Sequence, residues 1–157
     1  MPRLLLCLVL VALAGCSTEP EEGRNTLLAR FAGEVTDADV AALRAVGGDI
    51  QHRMELAKSV SLRTPLAPAA YASVAGVERV TDLGEESDPD VSVFIDVVDT
   101  PTEADSAFVA DRGASFVYVS QQQQVIAAVM PLSRVDDLDG RSRFVAVSVY
   151  VDDMVID

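Results

Sequence analysis

Two stretches decide the fold: LLARFAGEVTDADVAALRAVGGDIQHRMELAKSVSLRTP, Leu27 to Pro65, and VFIDVVDTPTEADSAFVADRGASFVYVSQQQQVIAAVMP, Val93 to Pro131. They lie over one another without a gap at a shift of 66 residues. Leu27, Ala29 and Phe31 fall on Val93, Ile95 and Val97; Thr36 and Asp39 fall on Thr102 and Asp105; Gly47 falls on Gly113. Further on, Ile50 falls on Phe116, Val60 and Leu62 on Ile126 and Ala128, and Pro65 on Pro131. Self-similarity at such a period marks one supersecondary unit built twice. Period-two alternation at Leu27, Ala29 and Phe31 predicts a strand, and a Thr with an Asp three residues on predicts a capped helix from Thr36 to Val46. Ile50–Met54 and Ser59–Thr64 then read as a hairpin, Pro68–Val74 as a short helix and Val77–Thr81 as a closing strand. The second copy repeats this order, with its hairpin turn at Gln121–Gln124 and its last strand over Phe144–Val151. The expected class is α+β: two tandem ferredoxin-like βαββαβ units, residues 25–83 and 91–157, each an antiparallel sheet with two helices on one face. An acidic linker, residues 84–90, separates them.

The first copy resembles the propeptide domains of subtilisin-like serine proteases and the free-standing propeptide-type protease inhibitors. The resemblance rests on Leu27-Leu28-Ala29-Arg30-Phe31, the helix ending in Gly47-Gly48 before Ile50, Val60-x-Leu62-x-x-Pro65, and Gly76-Val77-x-x-Val80-x-Asp82. It implies a binding role toward a subtilisin-like protease, as inhibitor or chaperone, with the open face of the sheet packed on the enzyme. It also implies that the segment after the last strand enters the protease cleft, which in this chain is Met154, Val155, Ile156 and Asp157. A second reading, from another class, is a structural or interaction lipoprotein whose two units pack on each other and which has no protease target.

The N-terminus reads as an address. Arg3, the apolar run Leu4–Leu13 and the sequence Leu13-Ala14-Gly15-Cys16 match a bacterial lipoprotein signal, residues 1–15, cleaved before a lipidated Cys16. Acyl chains contribute about 0.8 kcal/mol per buried CH₂, so such a chain is expected to be held on the cell envelope by a short polar tether, residues 16–24. Ser17 after the cysteine points to the outer membrane, periplasmic side, in a host with two membranes.

Composition narrows the partners. The formal charge is −13, and removal of residues 1–15 takes away one base and no acid, which excludes nucleic acid as a partner. Cys7 leaves with the signal and Cys16 carries lipid, so no thiol remains for redox or nucleophilic chemistry. His52, the single histidine, matches Tyr118 in the repeat and alternates with Ile50, as Tyr118 does with Phe116; it reads as a packed side chain rather than a catalytic base. Asp136-Asp137-Leu138-Asp139-Gly140 resembles part of a calcium loop, but Val135 stands at the first ligand position and no Glu closes the loop. It reads as a solvated helix end; the chain is expected to be no enzyme and to use no metal and no cofactor.

The sheets differ in their outward faces. In the first copy that face is assigned Arg30, Gln51, Arg53, Ser59, Ser61 and Arg63; in the second Asp96, Val117, Val119, Val125, Ala127 and Val129. A solvent-facing sheet alternates apolar and polar, so the second sheet is expected to be covered on both faces. Val117, Val119, Val125 and Val129 are the candidate interaction face, toward a protease, toward the first unit or toward a second molecule.

Overall fold

The structure, a computed structural model, describes residues 23–150. The signal 1–15, Cys16, most of the tether and the tail Met154–Asp157 lie outside the described residues. The fold is α+β with two four-stranded antiparallel sheets. The first holds β1 (Asn25–Phe31), β2 (Asp49–Met54), β3 (Ser59–Thr64) and β4 (Val77–Asp82) in the order β2-β3-β1-β4. The second holds β5 (Asp90–Val97), β6 (Phe116–Ser120), β7 (Val125–Pro131) and β8 (Phe144–Tyr150) in the order β6-β7-β5-β8. Helix α1 (Asp37–Val46) connects β1 to β2, and α2 (Glu103–Ala110) connects β5 to β6.

The repeat is legible down to single torsions. Thr36 with Asp39 and Thr102 with Asp105 form full capping boxes, each side chain answering the other's backbone N–H. Gly47 and Gly113 both take the left-handed conformation after the helix, where a Cβ is costly. The hairpin turns end on left-handed Lys58 and Gln124, again 66 residues apart.

The second helix of each unit is reduced to 3-10 turns. In the first unit only Pro68–Ala70 forms such a turn, in place of the expected helix through Val74. The space is filled by Tyr71, fully buried, whose hydroxyl donates to Thr64 Oγ1 at 2.7 Å. In the second unit the turns are Leu132–Arg134 and Asp136–Gly140.

Each sheet has an inner face against its helix and an outer face away from it. Leu27, Ala29, Phe31, Val60 and Leu62 meet Leu43 and Tyr71 inside the first unit. Val91, Val93, Ile95 and Val97 line the inner face of the second sheet with Ile126, Ala128 and Met130. That second cluster also takes in Leu28, Met54 and Ala57, so the outer face of the first sheet packs onto the second unit. Of the polar set expected to face solvent, Ser59, Ser61 and Arg63 are buried, while Arg30 and Gln51 stay exposed; Thr26 on the same sheet is buried as well. Small hydroxyl residues tolerate this because their hydroxyls are bonded: Thr26 Oγ1 donates to the Glu86 carbonyl at 2.6 Å and Ser59 Oγ to that of Ala57 at 2.8 Å.

Two assigned faces are corrected by strand register. β2 carries a bulge between Ile50 and His52, so Gln51 is the extra residue: Ile50 pairs with Leu62, but His52 pairs with Ser61 and Arg53 with Val60. His52 therefore sits on the outer face and Arg53 on the helix face, where its guanidinium donates to Asp37 Oδ1 at 2.8 Å. The His52 N–H freed by the bulge donates to Ser61 Oγ at 3.1 Å. The repeat equivalent of Ser61 is Ala127, which has no hydroxyl, and β6 runs without a bulge: Phe116 pairs with Val129, Val117 with Ala128, Tyr118 with Ala127 and Val119 with Ile126. Opposed residues of an antiparallel pair share a face, so Val117 and Val119 point inward and Phe116 and Tyr118 outward.

Candidate interaction surface

The outer face of the second sheet is built by the same alternation that fills its core. With Val93, Ile95 and Val97 turned inward, β5 turns out Ser92, Phe94 and Asp96; β7 turns out Val125, Ala127 and Val129; β8 turns out Ala146, Ser148 and Tyr150 opposite them. Phe94 and Tyr150 stack edge to face at 5.2 Å between centroids. Phe94, Phe116, Tyr118 and Tyr150 stand 44%, 56%, 58% and 52% exposed. A shallow groove runs between them, walled by Phe94, Phe116 and Tyr150 over a floor of Ala127 and Val129. The only charged side chains on β5 that share this face are Asp90 and Asp96, at its two ends. The expectation that this sheet is covered on both faces fails within the chain: the first unit packs against its inner side, and the outer side is left open.

Of the sequence candidates, Val125 and Val129 lie on this surface, half-buried, while Val117 and Val119 belong to the inner packing. Of the aromatic residues carrying most of the exposed apolar area, the sequence reads Phe116 and Tyr118 as packed positions, which the structure overturns, and does not single out Phe94 and Tyr150. Counting outward from the hairpin turn places Phe116 and Tyr118 correctly, because Ser120 opposite Val125 fixes the phase of β6.

A second cluster holds the units together. Asp139 accepts from the backbone N–H of Glu55 at 2.8 Å and of Leu56 at 3.0 Å, while the Val147 N–H donates to the Leu56 carbonyl at 3.1 Å. His52 Nδ1 lies 3.4 Å from Asp136 Oδ2. The stretch Asp136–Gly140 is thus a clamp on the β2–β3 turn, not a free helix end. Burial pushes the Asp139 carboxyl above its ordinary value, with Glu55 and Asp136 adding to the rise against the two backbone donors. Among the described residues no group of three or more His, Cys, Asp or Glu is placed to hold a metal ion.

Asp105 is the third polar feature. It has no solvent exposure. Oδ1 accepts from Arg141 Nη2 at 2.7 Å, and Oδ2 from Arg143 Nε at 3.1 Å and Thr102 Oγ1 at 2.7 Å. Burial alone pushes this carboxyl up, but the backbone of Thr102, Arg141, the Thr102 hydroxyl and Arg143 together hold it well below the usual carboxylate range. The arrangement fastens the start of α2 to the approach to β8, and Phe108 on the same helix stacks between Arg112, 3.3 Å from its centroid, and Phe144 at 5.7 Å.

Comparison with protein-family models, curated proteins and solved structures gives no match. Among the described residues no helix is long and apolar enough to cross a membrane.

Proposed function

We propose that this is a lipid-anchored protein of the bacterial cell envelope, held through Cys16, that binds a subtilisin-like serine protease through the outer face of its second unit. The two units are read as ferredoxin-like, and the role as binding rather than catalysis. The observation that carries the proposal is the open apolar face bearing Phe94, Phe116, Tyr118 and Tyr150, on the side of the sheet away from α2. Support for the unit type comes from the strand orders β2-β3-β1-β4 and β6-β7-β5-β8, in which each helix crosses over between non-adjacent strands. The resemblance of Leu27–Phe31, Gly47-Gly48, Val60–Pro65 and Gly76–Asp82 to protease propeptides supplies the partner class. Exposed apolar area beyond a few hundred Å² on a soluble domain marks an interaction site more often than not.

The test is inhibition kinetics against a panel of subtilisin-like proteases. Competitive inhibition that weakens on deleting Met154–Asp157, with folding unchanged, supports insertion of the tail in the cleft by strand pairing. Binding without inhibition assigns a chaperone role. No binding by any member of the panel, with or without the tail, refutes the protease reading. The second reading, an interaction lipoprotein made of a self-packed pair, is favoured by one observation: the outer face of the first sheet is already buried on the second unit through Leu28, Met54 and Ala57.

A further inference from the structure

The open face of the second sheet carries both halves of a contact. Four aromatic rings stand out from it, and between them lies a groove floored by Ala127 and Val129 and walled by three of those rings. A surface that holds both the ridges and the hollow is able to pair with a copy of itself about a two-fold axis, each patch meeting the same patch. We infer that two copies of this chain associate face to face through the outer surfaces of their second sheets, stacked as the sheets of a β-sandwich are.

The area agrees with a weak dimer. A Phe or Tyr buries about 150–250 Å² on full enclosure, so four rings exposed to about half, with the intervening valines and alanines, offer about 400–600 Å² per copy. A face-to-face pair then removes about 800–1,200 Å², which straddles the ~1,000 Å² that specific interfaces need. Charge sets the sign of the salt response. The patch is apolar in its middle with Asp90 and Asp96 at the ends of β5, and each chain is strongly acidic. Pairing of two such copies is opposed by their repulsion and strengthens as salt screens it, whereas a contact with a cationic partner weakens. The inference deepens the protease reading, since pairing masks the surface offered to the enzyme and a bound protease displaces the second copy.

The experiment is sedimentation velocity on the chain from residue 16 onward with Cys16→Ser, which carries no lipid and keeps every described element, from about 1 to 200 μM. The expected result is a monomer–dimer equilibrium that tightens between 50 and 500 mM salt. Phe116→Asp and Tyr118→Lys, both at exposed positions, are expected to weaken association at least ten-fold with unchanged circular dichroism and unfolding midpoint. A chain that stays monomeric throughout, or a dimer that both variants leave intact, overturns the inference. Monomers with protease inhibition would leave the protease reading standing alone. Dimers with no inhibition would leave the pairing standing without it.

Discussion

Replacing Asp105 with Asn tests whether its two arginine pairs, rather than its capping role, fasten α2 to the second sheet. Asn keeps the volume and one acceptor for Thr102 but removes the charge that Arg141 and Arg143 share. Leaving one side of a buried pair uncompensated costs about 3–5 kcal/mol. Here the arginines are 27% and 33% exposed and recover part of their hydration, which lowers the expectation to about 2–4 kcal/mol. For a domain of this size that corresponds to a fall of about 8–15 °C in Tm, read by circular dichroism with urea unfolding in parallel. Asp39→Asn is the internal control. Asp39 forms the same capping box, taking Thr36 N at 2.8 Å and Thr36 Oγ1 at 2.7 Å, but no arginine bonds to it and it is half-buried where Asp105 is fully enclosed. Its loss is expected to be clearly the smaller of the two. Equal losses in the two variants would refute the argument, because capping alone would then account for both. The pH dependence gives a second check. The Asp105 pKa is lowered on folding, so its contribution is complete above the unfolded value of about 3.9 and is lost as pH falls through the lower folded value. The stability gap between wild type and Asp105→Asn should therefore be full at pH 5–7 and narrow progressively below about pH 4.

The corrected faces of the second sheet separate two substitutions of one kind. Val119→Lys places a charge on the inner packing and is expected to cost about 2–4 kcal/mol in urea unfolding, whereas Val129→Lys on the open face should cost little and abolish partner binding instead; the reverse ranking would restore the original face assignment. Asp139→Ala leaves the Glu55 and Leu56 N–H groups without their acceptor and is expected to cost about 1–3 kcal/mol, with hydrogen exchange rising first at the turn from Glu55 to Lys58. Cys16→Ser should release the chain from the membrane fraction; retention there after cleavage of residues 1–15 would show that the anchor is not the acylated cysteine.

The sequence by itself determined what depends on local chemistry. Strand positions, the first helix of each unit, both capping boxes, the left-handed residues after those helices and the two hairpin turns follow from residue type at a fixed spacing, and the 66-residue shift carries them from one copy to the next. The second helix of each unit does not, since it is reduced to 3-10 turns. The last strand shows how far this reaches, since β4 and β8 occupy corresponding edges of the two sheets although the closing Gly-Val pair of the first copy is missing from the second. Only the tertiary structure decided which sheet face is covered. Polarity pointed to the first sheet's outer face as the solvated one and to the second's as the buried one, yet Ser59, Ser61 and Arg63 of the first are buried, only Arg30 and Gln51 of its polar set staying exposed, and the second's outer face is open. Thr26, Ser59 and Ser61 are small and are buried with partners for their hydroxyl oxygens, while the larger Phe94, Phe116, Tyr118 and Tyr150 are left on an open face. The phase of β6 was likewise hidden, because it turns on whether residue 61 or its equivalent 127 has a hydroxyl to satisfy a bulge, and a one-residue slip moves every side chain of a strand to the other face. Such choices depend on groups far apart in the chain, so they are settled only when the two units meet.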